Sequence, residues 1–438
     1  MKTLHILTLA AAVLTLAACG NEEFIENNPG NEAAKPEFMT FTASAPQTRT
    51  QLDGLNVHWV EYDEIAIWDG SEGYQKFMVD TESINGSEAT FTGPALVPGA
   101  DYTAFYPLIA VESMDATSVN FNLPAEQTAK AGTFANQLAP SLAKATGGST
   151  DLVFENLCAL VKFTVSADMA GEGTFTLVGG NATEALAGKL TCNTADGTLT
   201  ATEPATRITL KGDFESGQAY YFVVLPGTLA DGFSLLYEDS KSKLYRKATS
   251  NPAPLQAGHI LNLGTLSLTG FEKAVIKQIY AGLEGGTASE NADGTVTLSD
   301  ADLSALAAMT WLDLPSGGVT SLGGIGYCTG LTTLKCVNNQ LTELNLNGLT
   351  RLTVLRCNMN QLTTLDVSQL TNLTELWCFD NKLTKLDITR LTNLNILYCG
   401  RQKDSRQLTL TLTAAQETNW NNWWSSDIDN TNVTLVVK

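Results

Sequence analysis

Four stretches near the C-terminus decide the fold: LTTLKCVNNQL at 331–341, LTVLRCNMNQL at 352–362, LTELWCFDNKL at 373–383 and LNILYCGRQKD at 394–404. They recur every 21 residues with Leu, Leu, Cys, Asn and Leu in fixed columns. The fourth departs late, with Gln402 in the Asn column and Asp404 in the last Leu column. Self-similarity at a period in the twenties marks a solenoid, whose units bury their apolar side only against one another. Residues Val319 to Cys328 read as a first, irregular repeat.

Strand residues alternate sides, so in each Leu-x-Cys unit the Leu and Cys face inward and their neighbours outward. Stacked copies stand about 4.8 Å apart. At that spacing the Cβ atoms of Cys336, Cys357, Cys378 and Cys399 are too distant for a disulfide, which wants about 3.8 Å. A one-sided column cannot surround zinc tetrahedrally either, so these are expected to be small buried thiols. Asn339, Asn360 and Asn381 should form an internal amide ladder that satisfies backbone groups at a loop corner. The outward columns carry Lys335, Arg356, Trp377 and Tyr398, and beside them Val337, Asn358, Phe379 and Gly400. Lys335, Arg356, Asn358, Trp377, Phe379 and Tyr398 are therefore the candidate ligand-binding residues, aromatics with Arg at the edge being what recognition surfaces use. Trp420, Trp423 and Trp424 read mainly as core of a C-terminal cap.

The pattern L-x-x-L-x-C-x-x-N-x-L resembles leucine-rich repeats. At the other end, Lys2 precedes an apolar stretch from Leu4 to Leu16, too short to span a membrane, as in a secretory signal over 1–18. Leu16-Ala17-Ala18-Cys19 resembles the lipobox of bacterial lipoproteins, which implies acylation of Cys19 and a lipid anchor; each buried methylene adds roughly 0.8 kcal/mol. The following Gly20-Asn21-Glu22-Glu23 looks like the acidic signal that sends such lipoproteins to the outer face of the outer membrane. Residues 19–36 are polar with Gly and Pro, a flexible tether.

Among 438 residues, 46 acidic against 26 basic side chains give a net charge of −20, which disfavours nucleic acid and anionic lipid as partners. Eight cysteines, one in the lipobox and four in the repeat column, are not a disulfide framework. From Glu37 to Leu268 short strands alternate with Gly, Asn, Asp and Pro turns, for example Phe38 to Ala43, Glu64 to Trp68 and Tyr220 to Leu225. The fold expected is mostly β: sandwiches over 37–150 and 151–268, a helical cap over 269–309, and a capped solenoid over 310–438.

The β region resembles the fimbrillin family. The likeness runs through Thr48-Arg49-Thr50, Val57-His58-Trp59, Asp63 to Trp68, Tyr102 to Pro107, Leu123 to Gln127, Leu152 to Phe163, Val224-Leu225-Pro226 and Ala257 to Gly264. It implies two successive β-sandwich domains in a protein that forms or decorates surface fimbriae. In polymerising members cleavage after an arginine frees a groove for another subunit's strand, and Arg49 stands near that place. An Arg-Thr turn on an exposed strand is the preferred account of it, and the C-terminal repeats are unlike a shaft subunit.

Within the expected cap, Ala274, Ile276, Ile279, Tyr280 and Leu283 recur at helical spacing. Ser289 to Asp300 has the outline of a calcium loop, with Asn291, Asp293 and the Thr295 carbonyl as ligands, Gly294 at the bend and Asp300 twelfth. Its first position holds Ser289 and its last a short Asp, so a loop that keeps the turn and has lost the ion is preferred. No cofactor is expected. Only His58 and His259 follow the signal, and no nucleophile elbow, H-E-x-x-H or phosphate loop stands out, so the chain is expected not to be an enzyme. Two functions remain: an adhesin whose repeat face binds a host or microbial surface protein or glycan, or a fimbrial anchor or terminal subunit carrying the repeats as an accessory.

Overall fold

A computed structural model describes residues 38–45, 58–181, 183–283, 288–420 and 432–438. Cys19, Arg49, Trp423 and Trp424 lie outside the described residues, as does the whole of the compact unit Met1–Glu37. The unit Phe38–Lys438 contains everything that follows.

The first β body is one eight-stranded sheet, in the order 151–153, 38–44, 88–94, 75–79, 64–68, 102–106, 141–145, 155–156. Its two end strands are separated in sequence only by Phe154, so the sheet folds over until its ends meet. Period-2 alternation fills the interior: Phe41 and Ala43 are buried between exposed threonines, and Phe77, Phe91 and Tyr102 are buried from other strands. Trp59 sits at the centre, edge-on to Phe91, Tyr106 and Phe154 at 5.0, 5.2 and 5.5 Å. Its Nε1 donates to the Ala43 carbonyl at 3.1 Å, so the indole is buried without an orphaned donor.

The second β body holds a seven-stranded sheet (126–128, 207–214, 171–179, 233–239, 244–249, 272–276, 295–297), with three- and four-stranded sheets packed over it. Phe163, Phe175, Phe214, Tyr220, Phe222 and Tyr237 form its aromatic core. The division expected near residue 150 is not a single crossing. Strands Val111–Met114, Ser118–Leu123 and Glu126–Thr128 already pair into the second body, after which Ser141–Ala145 returns to the first. Phe105 and Leu142 of the first sheet enter the second core, so the two bodies interlock.

The expected helical cap mixes strand with helix. Glu272–Ile276 pairs antiparallel with 244–249, and Thr295–Thr297 pairs back onto it. β-branched Val275 and Ile276 beside an open sheet edge favour extension over a helix. One helical turn, Lys277–Tyr280, follows, and only Asp300–Ala308 is a full helix, closed by a capping box between Ser299 and Asp302. The solenoid then stacks parallel strands Trp311–Asp313, Thr333–Lys335, Val354–Arg356, Glu375–Trp377 and Ile396–Tyr398 in unbroken register. A second parallel sheet, 385–387, 408–412 and 433–437, forms on its flank.

Inside, the Leu and Cys columns are fully buried, and burial pushes the Cys336 and Cys399 thiols up to about 12. The asparagines bridge rungs. Asn360 Nδ2 donates to the carbonyls of Cys336 (2.8 Å) and Cys357 (3.1 Å), while its Oδ1 accepts from Leu341 N. Asn381 repeats this one rung on, and Gln402 repeats it again.

A turn of the second β body docks on the solenoid. Gly326 N donates to the Ser242 carbonyl, Tyr327 Oη to that of Leu244, and Asn345 and Asn347 both donate to that of Ser240. A Cβ at Gly326 would stand 1.7 Å from the Lys241 carbonyl, so only glycine permits this approach. Beside it a cleft of 310 Å³ is lined by Glu172, Lys211, Asp213, Glu238 and Glu343, with Lys211 paired to Glu343 across the junction. Burial raises the Glu238 carboxyl to about 7; Ser242 and Lys211 oppose the rise, and Glu343 and Asp239 add to it. A carboxyl raised on folding binds its proton more tightly in the folded chain, so stability falls as pH climbs from its unfolded value towards 7. The melting temperature is expected to drop between pH 4.5 and 7 and to drop less in Glu238→Gln; equal slopes would refute this role.

Candidate functional site

The outward face of the five parallel strands gathers the charged and aromatic residues. Pairing register places Asp313, Lys335, Arg356, Trp377 and Tyr398 in one column and Trp311, Thr333, Val354, Glu375 and Ile396 in the next. Each cation there meets a ring and a carboxylate. Lys335 Nζ lies 5.4 Å from the Trp311 ring centre and 3.7 Å from Asp313. The Arg356 guanidinium lies 4.1 Å from the Trp377 ring centre and bonds Glu375 through Nε at 2.5 Å. Arg401 lies 5.8 Å from the Phe379 ring and 2.8 Å from Asp380. Trp377 stands edge-on to Tyr398 at 5.0 Å and tilts against Phe379 at 6.3 Å. Partly desolvated cation–ring contacts of this kind contribute about 1 kcal/mol each.

Lys335, Arg356, Trp377, Phe379 and Tyr398 are brought together as a half-buried stripe. Asn358 is not exposed on it: the residue points outward but is only 3% accessible, because alternation fixes a side chain's face and not what its bulkier neighbours leave open. Sequence reasoning missed Trp311, Asp313, Glu375, Asp380 and Arg401. Trp311–Asp313 is a true first rung, disguised by Leu314 in the Cys column. Asp380 and Arg401 share with Asn338 and Met359 a left-handed turn, φ 49–60°, at one repeat position.

The residues of the calcium-like loop are otherwise engaged. The Asp293 carboxylate accepts from Arg246 Nε at 2.6 Å and from Thr295 Oγ1 at 2.6 Å. Asn291 donates to the hydroxyls of Thr295 and Thr297, and Asp300 begins a helix. Among the described residues no group of three or more His, Cys, Asp or Glu is placed to hold a metal.

No family model matches the chain, and no curated protein does. Among solved structures, its neighbours are cell adhesion and fimbrial proteins of Bacteroides at low identity. A Bacteroides uniformis protein, provisionally named a cell adhesion protein, is 17% identical over 54% of this chain and 95% of its own, with a TM-score of 0.35. A fimbrial protein of Bacteroides ovatus is 10% identical over 51% of this chain and 47% of its own, with a TM-score of 0.26. The functional domain of InlJ from Listeria monocytogenes, which includes a cysteine ladder, is 30% identical over 31% of this chain and 35% of its own, with a TM-score of 0.23. Scores this low leave function to be argued from the face itself. No helix among the described residues is long and apolar enough to cross a membrane.

Proposed function

We propose that the chain is a surface lipoprotein of the outer membrane, anchored through Cys19, which acts as an adhesin through the solenoid stripe. The observation that carries this is the charge-balanced run of rings and cations from Trp311 to Arg401. The flank of the same repeats gives the contrast: there Thr353 and Thr374 donate to carbonyls 21 residues back, closing the backbone with small side chains. A face with only that task has no use for three half-buried rings, whereas recognition surfaces enrich Trp, Tyr and Arg. The interlocked β bodies serve as the stalk, and the docked turn at Gly326 holds the solenoid firmly upon it. Partners are host or microbial surface molecules, protein or glycan, and no nucleic acid is expected at a net charge of −20.

The test is binding of the full chain to arrays of glycans and matrix proteins. Trp377→Ala combined with Tyr398→Ala is expected to weaken whatever ligand is found by about a hundredfold or more. Undiminished binding by that double variant would reject the face.

A further inference from the structure

Two polar atoms on this face have no partner. Trp377 Nε1 and Asn358 Oδ1 are the only buried side-chain nitrogen or oxygen atoms without a hydrogen bond among the described residues. They belong to neighbouring rungs, since Arg356, two residues before Asn358, pairs in register with Trp377. Buried polar groups are overwhelmingly paired in folded proteins. That both exceptions fall at one place, on the face already singled out by its rings, marks a spot shaped for a group brought from outside.

The chemistry of that group follows from the two atoms. An indole N–H only donates, and an amide oxygen only accepts. A hydroxyl can accept from the first and donate to the second through a single oxygen. Trp377 is only half-buried, so the two atoms belong to a face that solvent reaches in part. We infer that the stripe binds a neutral carbohydrate, one sugar hydroxyl bridging Trp377 Nε1 and Asn358 Oδ1 while the apolar face of the sugar ring lies against the neighbouring aromatics. This rests on the adhesin reading of the face and narrows its ligand.

Charge and size point the same way. Lys335, Arg356 and Arg401 are each matched by Asp313, Glu375 and Asp380, so the stripe offers no spare cation to an anionic sugar. The remaining surface, at a net −20, repels one. Five rungs about 4.8 Å apart and three outward positions wide cover on the order of 250 Å². A stable protein pair uses about 800 Å² a side, whereas a short glycan needs no more than the stripe provides.

The experiment measures binding of the full chain to mannan, dextran, laminarin and desialylated mucin glycans, with sialylated and sulfated glycans beside them. At least one neutral probe should bind, and Trp377→Phe and Asn358→Leu should each weaken it about tenfold or more, with far-UV dichroism and melting temperature unchanged. Trp377→Phe keeps a ring and removes only the donor, so it decides the matter should Asn358→Leu not fold. Equal binding by both variants would overturn the hydroxyl bridge, and a preference for sialylated or sulfated probes would overturn the neutral class. If no neutral glycan binds while a matrix protein is lost in the Trp377→Ala, Tyr398→Ala double variant, the glycan inference fails and the face stands. If that double variant loses nothing, the face itself is wrong.

Discussion

Replacing Asn381 with leucine is expected to destabilise the chain by about 3 kcal/mol. The side chain is fully buried. Its Nδ2 donates to the carbonyls of Cys357 and Cys378 at 3.0 and 3.1 Å, and its Oδ1 accepts from Leu362 N at 3.0 Å. Leucine keeps the branched outline and opens no cavity, but it leaves the buried Leu362 N unpaired, at about 1–3 kcal/mol, and takes one of two donors from each of the Cys357 and Cys378 carbonyls, which keep Asn360 and Gln402. Urea unfolding of the full chain should show a lower midpoint, and Gln402→Leu should lower it similarly because Gln402 makes the same three kinds of bond. A loss below about 1 kcal/mol in both variants would mean that water or a shifted backbone replaces the amide, and that the ladder does not hold the rungs together.

The pair Asn381 and Gln402 also shows what was legible in the sequence. The 21-residue register gave the rungs, the buried Leu and Cys columns and the amide ladder, because each depends on residues one repeat apart. It misjudged its own end: Gln402 breaks the pattern of letters but keeps the chemistry, an amide reaching back to the Cys378 and Cys399 carbonyls. Trp311 was lost for the converse reason, since its rung keeps the geometry without the cysteine. In the β bodies, alternation named the buried face of each strand and was silent about its partner. Strand Ser118–Leu123 therefore went to the wrong body, being paired to 187–193 through contacts some 70 residues away in sequence. For residues 274–283 the apolar spacing fitted a helix as well as a strand followed by a turn, and the open edge of 244–249 settled it. Of the site, the aromatic column was legible, while the carboxylates that balance it come from three places, Asp313 in the hidden first rung of the same column, Glu375 in the neighbouring column and Asp380 at the turn, and needed the register of the folded strands.

Breaking the Arg246–Asp293 pair is expected to cost about 3 kcal/mol, near the lower end for a buried ion pair because Arg246 keeps 14% side-chain exposure. Asp293 has none, and its only cationic partner among the described salt bridges is that guanidinium. Burial pushes the Asp293 carboxyl up, and bonds from Thr295, Arg246 and Ser234 more than reverse it, leaving it below the ordinary carboxylate range. A carboxyl lowered on folding contributes stability that is present above its unfolded value, about 3.9, and is lost as pH falls through the folded one. Melting of the wild-type chain should therefore fall off steeply below pH 4, and Asp293→Asn should be less stable at pH 7 with a flatter acid limb. Arg246→Met leaves a bare buried carboxylate and should cost at least as much. Removing both, as Arg246→Met with Asp293→Leu, should cost clearly less than the two single changes together, because each single change strands the other charge. Strict additivity would show that the two side chains act separately, and that the loop from Asn291 to Thr295 is held beside strand 244–249 only through backbone pairing to the intervening strand 272–276.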